Sequence, residues 1–231
     1  MDETLQTNNL GYAVPSVEQR NRVLRNTYWL LALSMVPTVL GAWIGVTTGI
    51  VSSLSPGMGL VVFLVGAFGL MFAIEKFKNS GVGVALLLGF TFFMGLMLSR
   101  LIGVVLGNFT NGASLIAMAF GGTAAVFLGM ASLASTLKRD VSGLGKWLMV
   151  GVIGLIVASV ANIWLQMPAL FLTVSVLAIG IFSAFMLYDL KRVIDGGETN
   201  YVSATLAIYL DVYNVFQSLL SLLGVFGGER E

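Results

Sequence analysis

Seven long apolar segments separated by short polar stretches constrain this chain more than any other feature. A helix crosses the apolar core of a bilayer in about 20 residues, and the segments have about that length. We predict an all-α integral membrane protein with seven transmembrane helices, residues 1–27 as a polar N-terminal tail and residues 227–231 as a short C-terminal tail. Within the bundle (residues 28–226), the predicted spans cover approximately 28–48, 57–75, 82–103, 114–136, 147–166, 168–190 and 203–224.

The residue types that are missing exclude several classes of site. The chain has no Cys and no His, which rules out disulfides, thiolate metal sites and every catalytic or metal site that needs an imidazole. Only 10% of the residues are charged, against about a quarter in a soluble domain. We therefore expect no tightly bound cofactor, no nucleic-acid partner and the lipid bilayer as the surroundings; the sequence leaves the oligomeric state open.

The positive charges indicate the orientation in the membrane. Ten of the twelve Lys and Arg residues fall on one side of the predicted spans. Loops rich in Lys and Arg face the cytoplasm, so we expect a cytoplasmic N-terminus and, with seven spans, a C-terminus outside. The ten residues are Arg20, Arg22, Arg25, Lys76, Lys78, Lys138, Arg139, Lys146, Lys191 and Arg192.

Small residues follow one face of the predicted fourth and fifth spans. In lipid, small side chains let helix backbones approach closely, and this approach stabilises their association. We therefore predict close packing at two stripes: Gly121, Gly122, Ala125 and Gly129 in one span, and Gly151, Gly154, Ala158 and Asn162 in the other.

Asp211 lies inside the last apolar segment, which contains no Lys or Arg. An ionisable group at that depth is costly and normally faces the interior of the bundle with a partner. A polar and small stripe that includes Asn214, Ser218 and Ser221 shares its helix face. The position favours an ion or proton site; a hydrogen-bonded structural Asp is the alternative.

Asp189 is the predicted partner of Asp211. It ends the sixth span, and the short connection to the seventh makes the two spans antiparallel neighbours. Two carboxylates in contact cannot both ionise at low cost, so the pair would share a proton near neutral pH and lose it on alkalinisation. A weak calcium site is the corresponding metal hypothesis. The alternative is an interfacial Asp189 that pairs with Lys191 or Arg192.

Three other charged residues are candidates for a mouth or latch. Glu75 and Lys76 end the second span on the basic side, where they would line the mouth or remain solvated loop charges. Arg100 lies near the outer end of the third span, where it would either extend to the outer interface or act as a latch.

Several segments resemble one family. Tyr188-Asp189, Tyr209-Leu210-Asp211 and the run from Ser218 to Gly224 look like the C-terminal signature of the Bax inhibitor-1 family. Further segments resemble a bacterial branch whose members modulate the membrane protease FtsH: Arg22–Tyr28, Ile116–Thr123, Val160–Ile163 and Gly196–Tyr201.

The resemblance implies a location in the bacterial inner membrane and a last helix wrapped by the other six. It also implies a pH-sensitive calcium leak governed by two aspartates, which correspond to Asp189 and Asp211, with calcium as the permeant ion. Characterised members carry an Arg at the inner end of the second span, where this chain has Glu75 and Lys76. The bacterial branch implies, as an alternative, a binding partner of FtsH that engages the N-terminal tail without conducting ions.

An enzyme is the least favoured interpretation. Membrane-embedded aspartyl proteases also use two aspartates, in Tyr-Asp and Gly-x-Gly-Asp contexts. Tyr188-Asp189 matches the first context, but Leu210-Asp211 lacks the glycines of the second. We predict that the chain is not an enzyme.

Overall fold

Seven helices form the fold, and all seven are long and apolar enough to cross a membrane. The computed structural model describes residues 6, 7, 13, 14 and 16–229. Two-residue strands, β1 (Gln6–Thr7) and β2 (Ala13–Val14), pair antiparallel before the first helix. The predicted seven-span helical membrane bundle is confirmed, with helices α1 Val17–Thr48, α2 Pro56–Phe77, α3 Gly81–Asn108, α4 Gly112–Thr136, α5 Leu144–Leu165, α6 Pro168–Ile194 and α7 Tyr201–Phe226.

The surface of the bundle is apolar. Large hydrophobic side chains are exposed along the helices, among them Trp29, Trp147 and Trp164, each more than 70% exposed. A soluble protein rarely leaves so extensive an apolar surface in water. The exposed faces are therefore the lipid-facing surface of a membrane protein.

The first helix begins well before the predicted start at residue 28. Ser16 and Gln19 form a capping box in which the Ser16 hydroxyl accepts from the Gln19 amide at 3.2 Å and the Gln19 side chain accepts from the Ser16 amide at 3.1 Å. This cap starts α1 at Val17, so residues 17–27 of the predicted tail are helical. Hydropathy locates where a helix enters the apolar core, whereas the cap determines where the helix begins.

α7 lies at the centre of the bundle. It packs against α1, α2, α3, α4 and α6, while α5 packs against α6 on the periphery. Its buried face is apolar and aromatic and includes Val202, Ile208, Tyr209 and Val215. Five helices therefore surround α7 directly, and among the described residues α5 reaches it only through α6.

The closest backbone approach joins α1 and α3. A Cβ atom at Gly41 would overlap the Phe92 carbonyl, and one at Gly95 would overlap the Thr38 carbonyl. The predicted stripes in α4 and α5 were largely wrong. A Cβ built at Gly122 or Gly151 would meet only side chains of a neighbouring helix. Nothing lies within 4 Å of a Cβ built at Gly121, Gly129 or Gly154. Small residues are so frequent in this chain that their spacing does not reveal which helix face meets a neighbour.

Candidate functional site

α6 and α7 place Asp189 and Asp211 close enough for their carboxyl groups to interact. The two helices are antiparallel and joined by the short connection 195–200. α6 continues to Ile194, beyond its predicted end, so Asp189 lies within the helix and not at its last turn. Asp211 is only 4% exposed, whereas Asp189 is half-buried.

Asp211 has no basic partner among the described residues. Its Oδ2 atom is buried without a hydrogen-bond partner, and the ion pairs of the described residues involve neither Asp189 nor Asp211. An unpaired buried carboxylate is costly, and two carboxylates in contact repel each other. The arrangement is therefore compatible with a pair that holds a shared proton and has one free acceptor oxygen.

A cavity of about 580 Å³ opens beside Asp189 at the basic end of the bundle, between α2, α6 and α7. Its inner part is apolar, with Phe68, Met71 and Leu210 in the wall. Asp189 lines the cavity and Asp211 does not, so an ion or water that enters meets Asp189 first. The other polar residues of the lining are Glu75, Lys78, Arg192, Glu198 and Ser203.

The charges at the mouth of this cavity form two ion pairs. Lys78 Nζ lies 2.8 Å from Glu75 Oε2, and Arg192 Nη2 lies 3.4 Å from Glu198 Oε2. The hydrogen bond that Lys78 donates to Glu75 raises the pKa of Lys78. Each cation thus pairs with an acid, and Arg192 also lies near enough to Asp189 to interact with it electrostatically, whereas Asp211 has no basic neighbour among the described residues.

Lys78, and not Lys76, is the lysine at the mouth. Lys76 does not line the cavity: its side chain is exposed and its Nζ lies 5.7 Å from the centre of the Phe77 ring, which agrees with the alternative of a solvated charge. Residues three apart share a helix face, so Lys78 meets Glu75, whereas Lys76 points about 100° away. The roles of Arg192, Glu198 and Ser203 at the mouth were also missed. The sequence did contain a signal for Lys78 and Arg192: each lies three residues after an acid, Glu75 and Asp189 respectively, and so shares a helix face with it.

Arg100 does not join this mouth. It lines a separate cleft between α3 and α7, which shares no lining residue with the cavity beside Asp189. Its guanidinium lies near Gly59 in the first turn of α2, at the end of the bundle opposite the basic connections. This location agrees with the predicted extension to an interface, and the latch stays a prediction.

The polar stripe of α7 is mostly half-buried. Asn214 Nδ2 donates to the Leu210 carbonyl at 2.8 Å, and the Ser221 hydroxyl donates to the Gln217 carbonyl at 2.8 Å. Ser218 is half-buried beside them. Asn214 and Ser221 thus satisfy their polar groups within α7, and Asp211 is the buried ionisable member of the stripe.

Tyrosine hydroxyls fix the opposite face of α7. The Tyr209 hydroxyl lies 2.9 Å from the Thr38 hydroxyl of α1, and the Tyr213 hydroxyl donates to the Met94 carbonyl of α3 at 3.3 Å. These contacts set the rotation of α7 and hence the direction in which Asp211 points.

The donor atoms match a weak calcium contact better than a tight calcium site. Calcium prefers six to eight oxygen ligands, and two aspartates supply four at most. The described residues contain no group of three or more acidic side chains that could hold a metal ion. A calcium ion at this pair would keep much of its water.

Known proteins match almost the whole chain. The profile of the family described as "Inhibitor of apoptosis-promoting Bax1" matches residues 20–228. The chain is 40% identical over 209 residues to the "Modulator of FtsH protease YccA" of Escherichia coli K12, covering 90% of this chain and 92% of the relative.

Two further relatives are described as membrane proteins. One is the "Inner membrane protein YccA" of Escherichia coli O6:H1, with the same identity and coverage. The other is an uncharacterized membrane protein of Vibrio cholerae, 37% identical over 207 residues, which covers 90% of this chain and 91% of the relative. The family profile spans the segments that carry Asp189 and Asp211.

Proposed function

The chain belongs to the Bax inhibitor-1 family, and from that premise we propose that it is an inner-membrane protein that leaks calcium in a pH-sensitive manner, gated by the Asp189–Asp211 pair. The observation that carries the proposal is the proximity of these two carboxyl groups, which interact beside a cavity at the basic end of the bundle. We propose no enzymatic activity for this pair.

The gate works through the charge of the pair. With a shared proton, the pair carries one negative charge and holds α6 against α7. When the proton leaves, two negative charges repel each other inside a bundle of low dielectric constant and attract a divalent cation more strongly. Proton exchange therefore changes both the packing of the two helices and the affinity for calcium.

Calcium flux into proteoliposomes tests this proposal. We expect the flux of the wild type to change between about pH 6 and pH 8, because loss of the shared proton doubles the negative charge of the pair. Asp211→Asn keeps the size of the side chain and removes the second charge, so its flux should not vary with pH.

Asp140→Asn is the matched control, because Asp140 is an exposed acid in the connection between α4 and α5 that bonds only to Ser142 in the same connection. This control should keep the wild-type profile. A wild-type pH profile in Asp211→Asn would remove the pair from the mechanism.

A second candidate function, regulation of the FtsH protease, is favoured by one specific comparison. The Escherichia coli relative described as a modulator of that protease is 40% identical over 90% of this chain. We propose that the N-terminal tail is the segment that the protease engages. This function requires no ion permeation, and the two functions are compatible.

Deleting residues 2–15 tests the second candidate. The deletion leaves Ser16 and Gln19 in place, so the cap of α1 is preserved. We expect the deletion to abolish co-purification with FtsH and turnover of this chain by the protease in membranes. A variant with a scrambled 2–15 segment of the same composition separates the effect of the sequence from the effect of the length. Complex formation that survives the deletion would refute a tail-based interaction.

A further inference from the structure

Arg100 is a cation without a partner among the described residues. None of their hydrogen bonds or ion pairs involves it, and its side chain is exposed. Its Nη1 atom lies 3.6 Å from the position of a Cβ built on Gly59. Because Gly59 is in the first turn of α2, the guanidinium lies close to the outer ends of the helices.

Among the described residues, the outer half of the bundle offers Arg100 no acid within ion-pairing distance. The connections 49–55, 109–111 and 166–167 contain no charged residue. Among the described residues at that end, the acid is Glu229, and it does not form an ion pair with Arg100. An uncompensated positive charge near the membrane interface attracts an anion from outside the chain.

The cleft that Arg100 lines combines an apolar wall with a positive charge, a combination that matches the acyl chain and the phosphate of a phospholipid. Its volume is about 360 Å³, and it runs between α3 and α7. Met97, Leu101 and Val104 form an apolar wall on α3, and Val104 is 51% exposed. Arg100 and Gln217 supply the polar groups, so an apolar surface for a chain adjoins a cation for a headgroup.

We propose that this cleft binds one phospholipid of the outer leaflet, with its phosphate on the Arg100 guanidinium and an acyl chain along Met97, Leu101 and Val104. A guanidinium binds a phosphate through two parallel hydrogen bonds, which a lysine cannot reproduce. A lipid is favoured over free phosphate because the cleft is mostly apolar and the surrounding surface faces lipid. The site is independent of calcium conduction.

Native mass spectrometry of the detergent-purified full chain tests the proposal, with palmitoyl-oleoyl phosphatidylglycerol as the added probe. We expect the wild type to retain one phospholipid after delipidation. Arg100→Gln should bind it about tenfold more weakly, because a charge-assisted contact is lost. Arg100→Lys should give an intermediate value, since it keeps the charge but loses the paired hydrogen bonds.

Two further variants keep the test decisive. Arg139→Gln removes the same charge from the connection at the opposite end of the bundle and should retain the lipid as the wild type does. Val104→Trp fills the apolar wall while it keeps Arg100, and it should also weaken binding. Equal retention by wild type and Arg100→Gln would overturn the proposal, as would a phosphate-sized adduct in place of a lipid, or equal loss in Arg139→Gln.

Discussion

The Asp211 carboxyl group, buried in α7, lies close enough to the Asp189 carboxyl group of α6 to interact with it, and one Asp211 oxygen has no hydrogen-bond partner among the described residues. No described Lys or Arg forms an ion pair with either acid. The protonation of either group therefore depends on the charge of the other, and the two acids titrate as one unit.

Joint titration predicts that the effects of substituting the two aspartates are not additive. Asp189→Asn and Asp211→Asn should each remove the pH dependence of calcium flux, and the double variant should add little further change. The reason is that either substitution leaves one carboxyl group, which no longer shares a proton with an acidic neighbour. Flux in proteoliposomes across the same pH range measures all three variants.

Asp195→Asn is the control for this comparison of the single and double variants. Asp195 is an acid near the same end of α6, but it pairs with Lys191 at 2.7 Å and does not line the cavity. It should change flux by the same factor in the wild type and in Asp211→Asn. Additive effects of the two aspartate substitutions would show that they act separately.

The sequence located the spans and the two aspartates for the same physical reason. Apolar runs of bilayer length identify helices whose neighbours are lipid, and an acid within such a run, as at Asp211, conflicts with that environment. The ends of the helices were less predictable. α1 extends to Val17 because Ser16 and Gln19 cap it in the polar segment, where hydropathy gives no signal.

The mouth of the cavity was less predictable than the aspartates. Lys78, Arg192 and Glu198 look like ordinary loop charges in the sequence, because nothing local shows that the α2–α3 and α6–α7 connections converge at one end. Asn200 shows that convergence: its side chain donates to the Lys78 carbonyl at 3.2 Å across the bundle. Only tertiary structure makes these residues neighbours.

Gly95 should be intolerant of substitution. A Cβ at this position would overlap the Thr38 backbone, which cannot rotate away as a side chain can. We expect Gly95→Ala to cost about 1–3 kcal/mol, the usual range for overpacking. Thermal unfolding in detergent measures this. Gly89→Ala in the same helix is the control, since a Cβ there meets nothing within 4 Å, and an equal loss at both positions would contradict the packing argument.

Asn111 should hold the end of the central helix. Its Nδ2 donates to the Gly227 carbonyl at 2.7 Å, and its Oδ1 accepts from the Glu229 amide at 3.1 Å. Asn111→Ala should speed hydrogen exchange of the Glu229 amide by about tenfold or more, because each lost bond is worth about 1 kcal/mol. Asn108→Ala, at the exposed end of α3, should leave that exchange unchanged. Equal exchange in both variants would mean that Asn111 does not hold the tail.

The distribution of Lys and Arg predicts which end of the bundle faces the cytoplasm. The basic end of the bundle contains the start of α7, where Asn200 meets Lys78, and the opposite end contains Gly227 beside Asn111. Because segments rich in Lys and Arg remain in the cytoplasm, the C-terminus should lie outside. Alkaline phosphatase fused after Glu231 should be active, since it folds only outside the cytoplasm. The same enzyme fused after Arg139 should be inactive, and the reverse pattern would invert the topology and place the cavity beside Asp189 on the outer side.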